Sequence, residues 1–499
     1  MTQYLPFNND FSISDIIMTV IREFYQHTDA DDPVNFNRIE NLFKSSTIKN
    51  DLLELEEYVQ KLSQDILIHS THLASPTFIG HMTSRLPNFI VQIAPLVVAL
   101  NQNLIKTETS KGLTFQEKEM MAKIHHLIYN FNDVFYQKYI QDHSTSLGFF
   151  TSGGTISNIT AIYTALNTST NCTGSRLKYW LSQGFSDVVI IGSELSHYSF
   201  EKAADLLGLS FIKCSTNSQY QIDLNELNKL IKQCYLENKK IIALIGVAGT
   251  TDFGSVDDLS SLANIAKQEN IHFHVDGAWG GAFIFSSTHR NKLLKGIEQA
   301  DTVTLDGHKQ LMLPLGSGMI FFKQPESVRQ NIHCAPYAVR ESSIDIGRFT
   351  IEGSRVANGL YLDAALRLLG QDGYERILKH SMKNTQYMVD KIITSDAFEL
   401  IFQPPMNILL YRYIPLQYRN KQLDENDNKM INQANILLQK TQKEKGRTFV
   451  SRTNKQTYLY PKQNIVLLRS VLFNPLTQTQ HIDYVLQDQI DIAKELNLE

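Results

Sequence analysis

The 499-residue chain has few cysteines and no long hydrophobic run, and both absences exclude classes of protein. Its apolar runs, such as residues 96–100, are much shorter than the roughly 20 residues that cross a bilayer. The first ten residues carry no basic region followed by an apolar stretch, so we expect no secretory signal. The cysteines are scattered and form no CxxC pair, which predicts reduced thiols and a cytoplasmic location: Cys172, Cys214, Cys234 and Cys334.

The chain also lacks a strong excess of charge of either sign. Its formal net charge is −4, which argues against the basic footprint of a nucleic-acid-binding protein. With 42% hydrophobic and 20% charged residues it has ample material for a buried core. We therefore expect a globular protein of two or three domains, without a nucleic-acid or membrane partner.

Between about residues 151 and 322, short β-branched runs alternate with amphipathic helical patterns. This alternation is typical of buried strands joined by crossover helices, and it predicts a mostly parallel α/β sheet. Ligands of such sheets bind beyond the carboxyl ends of the strands, so residues that follow each run are candidates for a site. The predicted strands are 188–191, 241–247, 271–275, 302–305 and 319–322.

The two flanking regions have other patterns. Helical spacing is present at 42–68 and 114–139, strand-like runs occur at 407–415 and 464–473, and a polar insertion at 416–429 predicts a surface linker. These changes divide the chain into three predicted parts: a helical N-terminal segment (1–105), a large α/β domain (106–365) and a small C-terminal α/β domain (366–499).

Glycines and a threonine open a predicted helix at Ser152-Gly153-Gly154-Thr155. Glycines leave backbone N–H groups free to face an anion, and the helix dipole favours negative charge there. The segment therefore predicts a phosphate site, although a Gly-Gly turn with a threonine cap is also common structural punctuation. It is not a Walker loop, because no lysine follows.

Two further strand ends carry candidate residues. His197, in Ser-His-Tyr-Ser, could lie flat against an aromatic cofactor or could simply cap a helix. Asp276 ends a buried strand, where an unpaired carboxylate is costly, and a protonated ring nitrogen would be a suitable partner. His272 and His274 on the same strand face make a metal the competing idea, but no fourth ligand is evident and we expect no metal.

The fourth cluster is Asp306-Gly307-His308-Lys309, after the predicted strand at 302–305. A lysine flanked by glycine and the apolar residues 311–315 can lose its charge easily, as a Schiff-base amine must. The alternative is a surface lysine, the commonest situation for this residue type.

The order SGGT, SHYS, HVDGAWGG and DGHK resembles the group II pyridoxal-dependent decarboxylases. The resemblance extends over most of the chain, through SPTFIGHMTS, NQNLIKTETS, GTT, FTIEGSR and NPLT. Among these enzymes, GHMTS, NQN and EGSR look most like the bacterial branch of aspartate 1-decarboxylases and glutamate decarboxylase-like proteins. The resemblance implies the fold type I, aspartate aminotransferase-like architecture of PLP-dependent transferases, and a homodimer whose N-terminal segment contributes to the interface and the substrate pocket.

The resemblance also implies roles for individual residues. Lys309 would bind pyridoxal 5'-phosphate (PLP) as a Schiff base, Asp276 would pair with the ring nitrogen, and His197 would stack on the ring. Tyr337 matches the tyrosine of a mobile catalytic loop in the family. The other implied positions are Ala278 beneath the ring, Thr250 near it, Gly153, Gly154, Thr155, His308 and Thr302 at the phosphate, and His81, Thr83 and Arg355 at the substrate.

The expected reaction is α-decarboxylation of an amino acid, and the branch resemblance favours L-aspartate giving β-alanine or L-glutamate giving GABA. Two departures affect the substrate pocket: many family members have Asn or Ser followed by Pro where this chain has Asp306-Gly307, and the basic and aromatic residues that often follow the arginine are absent after Arg355. The alternatives are an aromatic or diamino acid substrate, a sphingosine-phosphate-type carbon–carbon lyase, an aminotransferase and a non-enzymatic PLP-fold scaffold.

Overall fold

A computed structural model describes residues 14–31, 36–48, 52–334 and 343–498. The chain forms two compact units, each built from separate stretches of sequence. The larger unit comprises 82–386 and 401–410, and the smaller comprises 1–81, 387–400 and 411–499. The three-part division at 105/106 and 365/366 stays a prediction.

Helices and strands alternate through the middle of the chain. Within the described residues the α-helices are α1 Ser14–Tyr25, α2 Phe36–Leu42, α3 Leu55–Asp65, α4 Asn88–Leu100, α5 Gly112–Tyr129, α6 Asp133–Tyr139, α7 Gly154–Thr168, α8 Arg176–Ser182, α9 Ser199–Leu207, α10 Leu224–Leu236, α11 Leu259–Gln268, α12 Ser287–Leu293, α13 Gly359–Leu368, α14 Gly370–Ile393, α15 Glu425–Lys445 and α16 Thr479–Glu495. The strands are β1 Gly148–Thr151, β2 Asp187–Ser193, β3 Ser210–Cys214, β4 Lys239–Val247, β5 His272–Asp276, β6 Thr302–Asp306, β7 Gly318–Phe322, β8 Phe398–Leu400, β9 Ile408–Tyr413, β10 Ser451–Gln456 and β11 Asn464–Val471. Short 3₁₀ helices lie at Leu67–His69, Thr107–Thr109, Gly280–Phe285, Ile297–Gln299, Pro325–Asn331, Ile346–Arg348 and Leu416–Tyr418.

The larger unit is built on a seven-stranded sheet of order β1-β7-β6-β5-β4-β2-β3. Only β7 within this sheet runs antiparallel to its neighbours, β1 and β6, so the other six strands share one direction. Their carboxyl ends consequently meet at one edge. This confirms the mostly parallel α/β sheet expected from the alternating pattern.

Apolar side chains explain the position of the sheet within this unit. Residues 241–248 of β4 and the turn after it are all buried, as expected of a central strand covered on both faces. Helices α7 and α9 pack Ile162, Phe200 and Ala203 against Ile190 and Ile245 of the sheet. Burial of such side chains stabilises a fold by about 1.5–3 kcal/mol each, so this core fixes the strand ends that follow.

The smaller unit joins residues from both ends of the chain. Its four-stranded sheet has the order β10-β11-β9-β8. The N-terminal residues extend this architecture: the backbone N–H of Ile79 donates to the carbonyl of Phe449 at 3.0 Å, and the rings of Phe78 and Phe449 stack with centroids 4.8 Å apart. Among the described residues, no helix combines the length and apolar character needed to cross a membrane.

Two local predictions were wrong in extent. The polar insertion at 416–429 is not all linker, because α15 begins at Glu425. Its start is a reciprocal capping box: Asp424 accepts from the backbone N–H of Asp427 at 2.8 Å, and Asp427 accepts from that of Asp424 at 3.2 Å. The helical stretch predicted at 42–68 is interrupted, with α3 beginning only at Leu55.

Candidate active site

A cavity of about 310 Å³ lies at the carboxyl ends of the parallel strands in the larger unit. All four motifs that the sequence singled out contribute to its wall. The residues that line it are Ser152, Gly153, Gly154, Thr155, Ile156, Asn158, Leu195, His197, Tyr198, Val247, Gly249, Thr251, Asp276, Ala278, Trp279, Asp306, His308 and Lys309. The position agrees with the rule that open α/β sheets bind ligands beyond their strand ends.

The glycine-rich turn between β1 and α7 forms one wall of this cavity. The turn can pack closely because its neighbours lack side chains: a Cβ at Gly318 would lie 2.5 Å from the carbonyl carbon of Gly153. A Cβ at Gly154 would lie 2.8 Å from Oδ2 of Asp306. The turn opens a 15-residue helix, whose first N–H groups and dipole favour an anion. These N–H groups line the cavity and suit an anion such as a phosphate.

Lys309 follows β6 across a tight turn. The backbone N–H of Gly307 donates to Ser317 at 2.7 Å, and that of Leu313 donates to Gly307 at 3.0 Å, which folds the segment back on itself. The Lys309 side chain is 19% exposed, so its amine reaches the cavity while its stem is covered. Its Nζ atom lies 3.3 Å from Oδ2 of Asp306. This is an accessible amine in a partly desolvated setting.

Asp276 is the last residue of β5 and is 5% exposed. Its Oδ1 atom accepts from the backbone N–H of Ala278 at 3.1 Å, and its Oδ2 atom accepts from Nδ2 of Asn158 at 2.9 Å. Both bonds hold the carboxylate in a fixed orientation at the cavity wall. Asn158 did not emerge from the sequence, because it lies inside α7 and not at a strand end.

His197 lines the cavity from the turn after β2. Its Nδ1 atom lies 2.9 Å from Oγ of Ser199 and accepts from the backbone N–H of Ser199 at 3.3 Å. Burial lowers the pKa of His197, an effect that the Asp276 carboxylate opposes and that the Lys309 charge reinforces. The ring is therefore neutral at pH 7 and presents Nε2 as its N–H donor.

Two of the other implied cofactor residues lie off the cavity wall. Thr250 is buried with its Oγ1 atom 2.8 Å from Oγ of Ser255, while its neighbours Gly249 and Thr251 line the cavity. Thr302 lies at the opposite end of β6 from the site, so its position does not fit a contact with the phosphate. Ala278 and His308 both line the cavity, as implied.

His272 and His274, which raised the idea of a metal, are hydrogen-bonded to Thr302. Oγ1 of Thr302 lies 2.8 Å from Nε2 of His272 and 2.9 Å from Nδ1 of His274. Burial lowers the pKa of His274 to about 3. In the part of the chain that the structure describes, no three His, Cys, Asp or Glu side chains are placed to hold a metal ion.

The implied substrate residues are placed less simply. Arg355 is 9% exposed and does not line the cavity; its Nη1 atom contacts Oε1 of Glu117 and the carbonyl of Phe150, both at 2.9 Å. Thr83 is half-buried in the larger unit and is not among the lining residues, and His81 is an exposed residue of the smaller unit. Tyr337 lies outside the described residues.

Comparison with known proteins gives one consistent family. The model for the pyridoxal-dependent decarboxylase conserved domain matches residues 40–414. The chain is 39% identical over 475 residues to an aspartate 1-decarboxylase of Aliivibrio fischeri, covering 91% of this chain and 86% of that protein.

Solved structures give the same fold. Mouse CSAD in its apo form matches with a TM-score of 0.84 at 21% identity, covering 96% of this chain and 98% of that one. Oryza sativa TDC with PLP matches with a TM-score of 0.81 at 17% identity, covering 99% of each chain. These confirm the fold type I architecture with a mostly parallel central sheet.

The residues present at the cavity fit PLP. The helix start at the glycine-rich turn, the Lys309 amine and the buried Asp276 carboxylate all line the cavity, and they suit a phosphate, an aldehyde and a protonated ring nitrogen respectively. Nδ1 of His308 and Oδ1 of Asp306 are buried atoms with no hydrogen-bond partner among the described residues, as expected of a wall completed by a ligand. The chain belongs to the pyridoxal-dependent decarboxylase family, and it is a PLP-dependent amino acid carboxy-lyase.

Proposed function

We propose that this enzyme removes the α-carboxylate of L-aspartate to give β-alanine and CO₂. The observation that carries the choice of substrate is the 39% identity, over 91% of the chain, to the Aliivibrio fischeri aspartate 1-decarboxylase. The Cα–carboxylate bond breaks, CO₂ leaves, and a proton takes the vacated position on Cα. L-Glutamate, which is longer by one methylene and would give GABA, is the second substrate to test.

Lys309 is the residue that we propose to bind the cofactor covalently through its Nζ atom. Its place at the cavity wall, with the Asp306 carboxylate 3.3 Å away, supports this role because the carboxylate orients the amine. The bound cofactor supplies an electron sink for the pair released when the carboxylate leaves. Lys309 would hold the cofactor before substrate binds, and its amine would remain in the same partly desolvated space during the reaction.

Asp276 is proposed to hold a proton on the cofactor's ring nitrogen. Two hydrogen bonds orient its buried carboxylate, so it would face a protonated ring nitrogen without reorganisation. Contact between opposite charges is worth about 4 kcal/mol at an effective dielectric constant near 20.

The remaining assignments concern position more than chemistry. Gly153, Gly154 and Thr155 would bind the phosphate with their backbone N–H groups and hydroxyl, and the neutral His308 beside them would add one donor. His197 and Ala278 would pack on opposite faces of the ring. Thr250, held by Ser255, would shape the turn of Gly249 and Thr251 at the cavity.

We propose that Tyr337 delivers the proton to Cα, on the strength of the family resemblance of its loop. His81 and Thr83 are proposed to contact the substrate on the same basis. For Arg355 and Thr302 we propose supporting roles, since each is buried among polar partners away from the cavity.

The enzyme is proposed to act as a homodimer in the cytoplasm. The N-terminal 105 residues support the dimer, because they expose apolar side chains that a partner subunit would cover: Ile48, Leu52, Leu96 and Val98 are 97%, 84%, 62% and 74% exposed. Four unpaired cysteines support a reducing compartment. Sedimentation of a fully active monomer would refute the dimer.

The experiment that tests the reaction is release of CO₂ from a panel of amino acids by the purified enzyme with added PLP. The panel contains L-aspartate, L-glutamate, cysteine sulfinate, L-2,4-diaminobutyrate and L-tryptophan. We expect the highest kcat/KM for L-aspartate, with β-alanine formed in equal amount to CO₂. A higher value for any other member overturns the substrate, and formation of keto acid without CO₂ overturns the reaction.

A further inference from the structure

A continuous set of buried hydrogen bonds lies behind the cavity and has Asn158 at its centre. Asn158 is 1% exposed, and its partners Ser199, His274 and Asp276 are 0%, 0% and 5% exposed. No water is needed to complete these bonds, because each polar atom of the Asn158 amide already has a protein partner within 3.2 Å. The proposed function uses this residue only for one of the two bonds that orient Asp276.

The Asp276 carboxylate fixes the orientation of the Asn158 amide. Only the NH₂ group can donate to the carboxylate Oδ2 at 2.9 Å, so Oδ1 must face His274, whose Nε2 atom lies 3.2 Å away. Oδ1 accepts, and therefore His274 carries its proton on Nε2. Its Nδ1 atom, left as an acceptor, takes the hydroxyl hydrogen of Thr302 at 2.9 Å.

This assignment continues one step further. Because Oγ1 of Thr302 donates to His274, it accepts from Nε2–H of His272 at 2.8 Å. Every donor in the series therefore points towards Asp276. Aligned hydrogen bonds polarise one another in a low dielectric, so the series strengthens the bond that Asn158 donates to Oδ2 of Asp276.

The second N–H of the Asn158 amide acts on His197 through Ser199. It donates to Oγ of Ser199 at 2.9 Å, which leaves the Ser199 hydroxyl hydrogen to donate to Nδ1 of His197 at 2.9 Å. The backbone N–H of Ser199 also donates to the same Nδ1 atom. These bonds select the tautomer of His197 that has its proton on Nε2.

We infer that Asn158 is a positioning residue that acts on two cavity groups at once: it fixes the orientation of Asp276, and through the Ser199 hydroxyl it supports the tautomer of His197. The inference rests on the proposed function, in which Asp276 faces the ring nitrogen and His197 faces the ring. An apolar residue of the same size would leave Ser199, His274 and Asp276 each with one bond fewer. Asn158 thus links the cofactor's binding to the state of the imidazole above it.

The test compares Asn158→Asp with two variants that each remove one hydroxyl from the hydrogen-bonded series. Aspartate keeps the shape and the acceptor for His274 but places an oxygen opposite Oδ2 of Asp276, and two carboxylates so close retain a proton. Asn158→Asp should raise the PLP dissociation constant of the apoenzyme about 10- to 100-fold, as loss of a hydrogen bond to a charged group does.

Ser199→Ala should lower kcat while it leaves PLP affinity within about twofold. Thr302→Val should weaken PLP binding less than Asn158→Asp does.

The matched control is Asn167→Ala, a buried asparagine of the same helix that donates to Asn331 at 3.0 Å and lies away from the cavity. It should lower the stability of the apoenzyme without changing PLP affinity. The inference is overturned if Asn158→Asp binds PLP as the wild type does, or if its loss of affinity only follows a loss of apoenzyme stability. Because PLP affinity is measured without substrate, this result is separable from the panel of amino acids that tests the reaction.

Discussion

The Nζ atom of Lys309 lies 3.3 Å from the Oδ2 atom of Asp306, three residues earlier in the chain. The same oxygen lies 3.6 Å from Nε2 of His308 and against the position that a side chain on Gly154 would occupy. One carboxylate therefore joins the amine, the imidazole and the glycine-rich turn. This arrangement links the Lys309 amine to the glycine-rich turn at the opposite end of the proposed cofactor site.

Gly154 allows the Asp306 carboxylate to pack closely against the glycine-rich turn. In Gly154→Ala the new Cβ would meet Oδ2 of Asp306 at 2.8 Å, which displaces the carboxylate or the turn. We expect the PLP dissociation constant to rise about 5- to 150-fold, since overpacking of this kind costs about 1–3 kcal/mol. Gly112→Ala is the control, because a Cβ there meets nothing within 4 Å. Equal PLP affinity in the two variants would contradict the proposed phosphate site.

Arg355 supports the fold through its ion pair with Glu117. The two side chains are 5% and 0% exposed, so Arg355→Ala leaves a buried charge without its partner. We expect the free energy of unfolding to fall by about 3–5 kcal/mol. Arg367→Ala, which removes an exposed i,i+4 pair with Asp363, should change it by less than about 1 kcal/mol. Urea unfolding measures both, and an Arg355→Ala enzyme of normal stability but raised KM would restore the substrate role implied by the sequence.

His125 makes stability depend on pH. Burial lowers its pKa to about 3 from an ordinary value near 6.5, and its ring lies between the Tyr136 hydroxyl and the carbonyl of Phe322. Below pH 6.5 the imidazole of His125 is protonated in the unfolded chain but stays neutral in the folded protein. The free energy of unfolding therefore falls as the pH drops towards 3. His125 contributes about 1.4 kcal/mol per pH unit to the slope of the unfolding free energy against pH in this range. His125→Gln should reduce the slope of unfolding free energy against pH by that amount, and an unchanged slope would show that the ring titrates normally.

Tyr337 is tested by removal of its hydroxyl alone. If it delivers the proton to Cα, Tyr337→Phe should keep PLP binding while decarboxylation falls by roughly 10²–10⁴-fold, the usual contribution of a general acid. Slow protonation of Cα should also allow dissolved O₂ to act as a two-electron oxidant, with aldehyde and ammonia released as by-products. Wild-type rates without these by-products would mean that another group is the donor.

The sequence predicted the parts of the site that lie at strand ends. His197, Asp276 and Lys309 each follow or end a predicted strand, Gly153 opens a predicted helix, and the parallel sheet brings these positions to one edge whatever lies between them. This is why four short motifs, read separately, converge on one cavity.

Other features could not be read from local patterns. Asn158 lies within a helix, and only the sheet beneath it shows that it faces Asp276; its sole signal is a polar residue four positions after Gly154 on a helix face that is otherwise apolar. Residues near 79 form backbone hydrogen bonds with residues near 449. These segments are distant in the sequence, and hydrophobic periodicity gives no information about such pairing. Arg355 matched a family motif that implied a contact with the substrate. Its side chain instead forms an ion pair with Glu117, which is close in space but distant in the sequence.

The most direct test of the central claim is to locate the lysine that binds PLP. The wild-type enzyme is incubated with PLP, reduced with borohydride, digested and examined by mass spectrometry, with Lys309→Ala treated in parallel. We predict a single stable pyridoxyl adduct at Lys309, together with loss of the cofactor's visible absorbance and of CO₂ release in Lys309→Ala. An adduct on a different lysine, or a Lys309→Ala enzyme that keeps the absorbance band, would contradict the account.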